Sequence, residues 1–569
     1  MNTAELDRTA PEGGRSHVIG ALLPALKDVT IPQLFRETLA EHGDREALVF
    51  SEAEIRLTYR EFDQKIDACA AGLLALGVQK GDRVGIWSPN RFEWVLTQFA
   101  TARMGAILVN INPAYRLSEL EHALNKVGCK ALIAAPVFKS SNYVEMIRAL
   151  VPELESGTTG DLNAVKLPDL RHVIVMSPDP GPGILSFDAL VDLGGPDELA
   201  QLDSIDATLT PQEPINIQFT SGTTGLPKGA TLSHFNIVNN ARYVTDRIDM
   251  TDADTLVIPV PLYHCFGMVM GVLGAISKGS RIVFPGEAFD PVQTLDAISD
   301  ERATALYGVP TMFVAMLQEL NTHPRDLSCL RTGIMAGAPC PIEVMNRVGS
   351  EMHMSEVTIC YGMTETSPVS FQSFTNDPVD KRCETVGRVH PHLEVKLIDD
   401  AGEIVPVGER GEICTKGYSV MTGYWGDHVA TDKSIVDGWM HTGDLGVFDE
   451  LGFCSIVGRV KDMIIRGGEN IFPREIEEFL IRHPNISEAQ VFGVPDEKLG
   501  EVVCAWIIER PGSGLVDKDV QEFCKGQIAH YKVPKHIRMV EELPMTITGK
   551  PQKFVMSEQM QELLAKEAD

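Results

Sequence analysis

Four hydroxyls, three glycines and a lysine fall within eleven residues in the run Phe219-Thr220-Ser221-Gly222-Thr223-Thr224-Gly225-Leu226-Pro227-Lys228-Gly229. That is the chemistry of a polyphosphate grip. Hydroxyls donate to phosphate oxygens, glycines let backbone N–H groups approach closely, and an ammonium offsets the charge. The spacing differs from a P-loop, which needs two glycines five apart with Lys-Ser/Thr following. Here Pro227 stands five residues after Gly222, and Lys228 is followed by Gly229. A kinase or motor NTPase of the P-loop type is therefore disfavoured.

A strand at 215–219 leads into the run and a helical segment follows, so the loop is placed at a strand end. Around it the chain alternates helical and strand-like segments, which implies an α/β fold of parallel sheets with covering helices. Residues 30–42, 58–76 and 91–104 carry apolar side chains at helical spacing. Strands are expected at 47–50, 83–87, 255–260, 281–284, 305–307, 332–335 and 356–359. A helix at 309–320, with Met312, Phe313, Val314 and Met316, reads mostly as core. The stretch 160–215 is rich in Gly, Pro and Asp and is expected to contain surface connections. Near 458 the character changes. A hairpin at 448–457 gives way to a smaller α/β unit with helices at 473–482 and 518–528, strands at 489–494 and 502–508, and an amphipathic tail at 557–569. The expected organisation is a leader at 1–29, a large domain at 30–458, a hinge at 459–462 and a small domain at 463–569.

At 569 residues the chain exceeds one typical core. An apolar share of 44% and a mean hydropathy of −0.02 suit a globular enzyme, and no run reaches the length of a membrane span. The opening residues carry acids before any base and lead into no signal-peptide core, so a cytoplasmic location is expected. Eleven scattered cysteines, no two at metal-ligand spacing, point to free thiols in a reduced compartment. A net charge of −29 argues against a nucleic-acid partner. It also repels anionic substrates at long range, so these must be captured by local positive groups such as Lys228, Arg459 and Lys550.

Further motifs follow the hydroxyl-rich run in order. They are Ala336-Gly337-Ala338-Pro339, Tyr361-Gly362-Met363-Thr364-Glu365, Gly438-Trp439-Met440-His441-Thr442-Gly443-Asp444 with Arg459, Arg466-Gly467-Gly468-Glu469-Asn470-Ile471, and Leu543-Pro544-Met545-Thr546-Ile547-Thr548-Gly549-Lys550. Together they resemble the adenylate-forming superfamily of acyl-CoA synthetases, firefly luciferases and peptide synthetase adenylation domains, from about residue 30 to 555. The resemblance implies a large N-terminal domain of parallel sheets with a β-barrel-like part, and a small mobile α+β C-terminal domain.

It also implies roles. Thr220, Ser221, Gly222, Thr223, Thr224 and Lys228 would hold phosphates. Gly337, Ala338 and Pro339 would lie along adenine, with Tyr361 stacking on it beside Gly362. Thr364 would meet phosphate, and Glu365 would hold Mg2+, a hard ion that wants carboxylates and phosphate oxygens. Asp444 would accept both ribose hydroxyls, with Arg459 as the second ribose contact. Lys550 would reach the α-phosphate and the attacking carboxylate, cancelling charge that otherwise repels two anions. Lys461 marks the hinge, and the loop with Gly467 and Gly468 would border the tunnel for CoA. His264, in Pro261-Leu262-Tyr263-His264-Cys265-Phe266-Gly267, would lie near the carboxylate, and one face of 309–320 would wall the acyl pocket. The family usually continues with Arg three residues after the C-terminal lysine, whereas Lys553 stands here.

The chemistry so implied is activation of a carboxylic acid by ATP as acyl-AMP, with pyrophosphate released, then transfer to CoA. The text most resembles medium-chain fatty acyl-CoA synthetases. Small, aryl or sulfur-containing acids, loading of a carrier protein and a luciferase-like oxygenation stay open, and a homodimer is a family-level expectation. A non-catalytic relative would have lost a charged site residue, yet Lys228, Glu365, Asp444, Arg459 and Lys550 are all present.

Overall fold

A computed structural model describes residues 9–155, 162–220, 227–338, 340–466, 469–496, 498–525, 527–546 and 550–568. The chain divides into two compact units. The larger holds Ile19–Glu394 and Thr415–Met440, and the smaller holds Ala10–Val18, Val395–Cys414 and His441–Asp569.

The larger unit contains two sheets with parallel centres, as the alternating pattern predicts. One has the order Leu185–Ser186, His172–Val175, Cys129–Ala134, Arg83–Trp87, Ile107–Asn110, Pro214–Thr220, Lys228–Ser233, Gly423–Tyr424. The other runs Arg388–Val389, Val369–Gln372, Glu356–Gly362, Thr332–Ala336, Ala305–Gly308, Thr255–Val257, Arg281–Phe284, Glu46–Phe50, Ile55–Thr58. Central strands such as Arg83–Trp87 and Ala305–Gly308 are nearly continuous apolar runs because helices cover both faces. Antiparallel strands close the edges except at Leu185–Ser186, which is parallel, and the strand that returns from the hydroxyl-rich loop, one in from its edge, is also antiparallel.

Helices start where side chains can cap them. Thr30 accepts from the backbone of Gln33, whose side chain returns to Thr30 N, and Thr58 with Glu61 repeats the device. The N-terminus of Ile31–His42 gains a third support, since Ile31 N donates to Nδ1 of buried His234 at 3.1 Å. Burial, aided by the Lys80 charge, pulls the His234 imidazolium down to about 3. The unfolded chain binds this proton below about 6.5 and the folded chain only near 3, so stability falls as pH drops through that window. Between pH 6.5 and 5 the loss is about 2 kcal/mol. Urea melts at pH 7.5 and 5 check it: His234→Asn keeps an acceptor without titrating, and its stability should fall less. Parallel pH profiles would exclude this role.

The structure adds to three of these readings. The stretch 160–215 is more than connection, carrying the sheet strand His172–Val175 and the helices Phe187–Leu193 and Pro196–Asp206. Their short apolar faces, Phe187 and Leu190 among them, are diluted by Gly, Pro and Asp and hide the periodicity. Part of the leader is structural: Ser16 N and Oγ donate to Val405 O and Pro406 O, fixing residues 10–18 within the smaller unit. By contacts, 395–414 and 441–458 also group with the smaller unit.

The smaller unit includes most of the strands Leu393–Ile398, Arg410–Gly417, Trp439–Phe448 and Cys454–Arg459. It also holds a sheet in which Ile486–Asp496 and Gly500–Glu509 pair antiparallel, with Ile464–Arg466 beside them and His536–Met539 added in parallel. Helices Pro473–Leu480, Asp517–Cys524 and Lys553–Ala568 accompany it. No helix among the described residues is long and apolar enough to cross a membrane.

Candidate active site

The strand Pro214–Thr220 carries the chain to the hydroxyl-rich loop and Lys228–Ser233 takes it back, with Thr220 opposite Lys228. Ser221, Gly222, Thr223 and Thr224 lie outside the described residues, but the mouth of their loop is defined. His122 Nε2 sits 3.2 Å from Pro227 O, and Trp425 N donates to Gly229 O. A Cβ on Gly229 would meet Ile217 Cγ2 at 2.8 Å, which keeps this position bare.

From the mouth a chain of contacts leads to Glu365. Lys228 Nζ stands 5.1 Å from the Tyr424 ring centroid, and Tyr424 Oη donates to Glu365 Oε1 at 2.8 Å. Glu365 is 5% exposed, and its backbone carbonyl is held by Met421 N. Burial, then the Glu365 charge, raises the Tyr424 phenol far above its ordinary range, so it stays a donor. Tyr424 is the residue that sequence reasoning missed. Its only signal was an aromatic after glycine in Thr422-Gly423-Tyr424-Trp425, about 60 residues from Glu365 in the chain. Tyr424→Phe should weaken nucleotide binding, read as a rise of roughly tenfold in the nucleotide KM, since a hydrogen bond to a carboxylate contributes about 1.5–3 kcal/mol. Unchanged KM would show that Glu365 is oriented without it.

Parallel register brings the next motifs together. Ala336 pairs with Cys360, so Gly337 and Ala338 emerge beside Tyr361 and Gly362 at the carboxyl ends of adjacent strands, the usual ligand end of such sheets. Gly337 has φ +94°, open to glycine and poor for other residues. Pro339 is outside the described residues. Tyr361 and Gly362 belong to the strand Glu356–Gly362, two or three residues beyond the strand end read from sequence. Thr364 and Glu365 follow in a short 3₁₀ turn, held by Met363 N to Pro368 O.

His264 is half-buried, and its Nδ1 accepts from Phe266 N. Its neighbour Cys265 is fully buried and donates to Gln218 Oε1, on the strand that feeds the loop. Burial, then the Glu365 charge, pushes the Cys265 thiol up, and Gln218 and Thr364 are its hydrogen-bonding neighbours. The His264 segment thus abuts Thr364 and Glu365. It runs into a π-helical turn, Phe266–Leu273, and Phe266 stacks on Tyr307 at 5.6 Å. The helix Pro310–Thr322 contributes mostly to the core, as read from the sequence. Phe313 and Met316 pack into a separate core with Leu317 and Met345, Val314 is exposed, and Met312 alone of the four touches the core that holds Phe266 and Tyr307.

In the smaller unit Asp444 and Arg459 face each other across antiparallel strands, and Arg459 Nε donates to Asp444 Oδ1 at 2.7 Å. Asp444 is 5% exposed while the Arg459 side chain is half exposed. Lys461 lies in the 3₁₀ turn Val460–Asp462. Ile464–Arg466 and Glu469–Ile471 pair antiparallel, and Gly467 and Gly468 lie outside the described residues. Arg466 donates to Tyr531 O. Lys550 is exposed on a closed loop: its N donates to Thr546 Oγ1, and Thr546 N to its O. Lys553, where the family has Arg, pairs with Glu477 at 2.7 Å and ties the last helix to Pro473–Leu480.

A lysine at the base of a strand-to-strand loop, a buried Glu365 linked to it through Tyr424, and small residues at the ends of adjacent parallel strands suit a nucleotide and its phosphates. Residues 35–425 match the AMP-binding enzyme family and residues 475–550 the AMP-binding enzyme C-terminal domain. The chain belongs to this adenylate-forming family. It is 46% identical over 553 residues to the zebrafish protein named medium-chain acyl-CoA ligase ACSF2, mitochondrial, covering 96% of this chain and 91% of that one. A Bacillus subtilis protein named putative acyl-CoA synthetase YngI is 44% identical, over 94% of this chain and 97% of its own. The crystal structure of ATP-bound MatB from Rhodopseudomonas palustris matches with a TM-score of 0.80 at 28% identity, covering 94% of this chain and all of that one.

Proposed function

We propose that this protein is an AMP-forming ligase that joins a medium-chain fatty acid to CoA. The observation that carries the proposal is the Lys228, Tyr424, Glu365 chain at the mouth of the hydroxyl-rich loop, in a chain similar over its whole length to a medium-chain acyl-CoA ligase.

In the first half-reaction the acid's carboxylate attacks the α-phosphorus of ATP and pyrophosphate leaves. Thr220, Ser221, Gly222, Thr223, Thr224 and Lys228 hold the polyphosphate, and Lys550 lies over the reacting groups. Asp444 takes the ribose diol with Arg459, and adenine lies between Tyr361 and the bare backbone of Gly337, Ala338 and Pro339. A magnesium ion fits the donor set, since Glu365 offers a hard carboxylate oriented through one oxygen by Tyr424, and the Thr364 hydroxyl precedes it in the chain. When bound, it neutralises charge on the phosphates. No protein nucleophile is needed, because positioning and charge stabilisation supply the rate. In the second half-reaction the CoA thiol displaces AMP past Gly467 and Gly468, after a rotation about Lys461 has withdrawn Lys550. His264, held against Thr364 through Cys265, guards the carboxylate end. A reducing compartment is part of the proposal, supported by eleven cysteines that are all free; the bacterial cytoplasm and the mitochondrial matrix both meet it.

The test is release of AMP and pyrophosphate from Mg-ATP with acids from acetate to palmitate, with and without CoA. CoA-dependent AMP formation peaking near octanoate is expected. A peak at an aryl or short branched acid would replace the substrate, and AMP-free turnover would overturn the reaction class.

A further inference from the structure

Away from the residues assigned above, three side chains of different chemistry converge in the smaller unit. Glu412 and Cys414 alternate along the strand Arg410–Gly417 and so project to one face, and the neighbouring strand Trp439–Phe448 brings His441 to meet them. His441 Nδ1 is 3.0 Å from Glu412 Oε2 and 3.6 Å from Cys414 Sγ, and one ligand atom from each residue falls within 4.8 Å of the others. Zinc bonds of about 2.0–2.3 Å give a tetrahedron with edges of about 3.3–3.7 Å. One ion therefore fits among the three atoms with small adjustments. Cys414 is buried, while the side chains of Glu412 and His441 keep 24% and 28% of their exposure, which leaves a solvent side for entry and for a fourth, water ligand. Two hydrogen-bonded strands hold the set, so little ordering is required on binding.

We propose that Glu412, Cys414 and His441 form an inhibitory site for a borderline-soft divalent cation, with zinc the best match. The donor set decides the ion. One sulfur, one imidazole nitrogen and one carboxylate oxygen suit zinc, whereas magnesium and calcium demand oxygen. On binding, the Cys414 S–H bond breaks, a metal–sulfur bond forms and the proton passes to solvent, so each ion taken up releases one proton. His441 gives its Nδ1 lone pair and its contact with Glu412 is replaced by a shared metal.

Inhibition follows from what Glu412 otherwise holds. Its second oxygen, Oε1, accepts from Gly443 N at 3.1 Å. Gly443, at φ +71°, precedes Asp444, whose own N donates to Thr442 Oγ1 and whose carboxylate meets Arg459. A cation that draws Glu412 toward itself releases the corner that aims Asp444. The inhibitory arm rests on the nucleotide role proposed for Asp444, while the binding arm stands without it.

The experiment uses the tag-free full-length chain. Cobalt(II) titration of the wild type should give the intense visible bands of a tetrahedral ion and a thiolate-to-cobalt charge-transfer band, and zinc should erase both at one equivalent. Cys414→Ser should lose the charge-transfer band, and His441→Asn should weaken zinc binding about a hundredfold in competition with a chromophoric chelator. Thermal melts establish that both variants are folded. No tetrahedral spectrum in the wild type, or the same spectrum in folded Cys414→Ser, overturns the site. For the second arm, zinc should weaken binding of a fluorescent ATP analogue about tenfold in the wild type and leave Cys414→Ser unaffected. Zinc binding without that change overturns inhibition. Failure of the ligase reading would appear separately, as no AMP from any acid in zinc-free protein with the cobalt spectrum intact.

Discussion

Lys550→Ala should lower acyl-AMP formation by about 10²–10³-fold while leaving thioester formation from supplied acyl-AMP near the wild-type rate. The side chain is exposed, and its loop is closed by backbone groups and Thr546, so truncation removes a charge and little packing. Stability should therefore stay within about 0.5 kcal/mol of wild type. In the role proposed for it, the ammonium offsets two anions that must meet in the adenylation step, a term present only near the transition state, so the loss should fall on kcat more than on KM. Pyrophosphate release measures the first half-reaction, and AMP release from synthetic octanoyl-AMP with CoA measures the second. Equal losses in both would overturn the assignment of Lys550 to one half and the rotation about Lys461 with it.

Gly362→Ala should be the most damaging small substitution at the site. A Cβ there would lie 1.8 Å from Pro368 O and 2.6 Å from its carbonyl carbon, both backbone atoms that no side-chain rotation can move aside. The clash falls between the strand Glu356–Gly362 and Val369–Gln372, where Gly362 pairs with Val369 across a register shift. Relief requires the strands to part, at about 3 kcal/mol, the upper end of ordinary overpacking. The same movement displaces Tyr361 on one side and Thr364 and Glu365 on the other. A fall of several degrees in Tm and a loss of at least about tenfold in AMP formation are expected together. A wild-type Tm would mean that the turn at Pro368 yields freely and that the glycine serves only to admit a ligand.

Elements with strong local signals were legible. The strand at 83–87 was placed to the residue, and 30–42, 58–76 and 91–104 became Ile31–His42, Tyr59–Ala75 and Phe92–Met104. In the first two, apolar periodicity and capping boxes agree with the tertiary environment, and the third is apolar enough to be buried nearly all round. The helices within 160–215 were not legible, because a seven- or eleven-residue amphipathic segment among Gly and Pro offers too few turns to establish a period. Nor was the structural use of residues 10–18, whose pairing partners lie nearly 400 positions away.

The same division runs through the site. By itself the sequence determined the class of chemistry: hydroxyls, glycines and lysine in one run, and a fixed order of motifs, are local facts that survive without coordinates. Local text also placed Gly337 and Glu365 after the ends of the strands expected at 332–335 and 356–359. Only the tertiary structure decided which groups meet. Tyr424 reaches Glu365 because an antiparallel edge strand returns it there, Cys265 joins Gln218 to Thr364, and Glu412, Cys414 and His441 converge from two strands. These contacts depend on strand order and register, which are settled by burial over the whole sheet, and no stretch of sequence short enough to read as a motif contains that information.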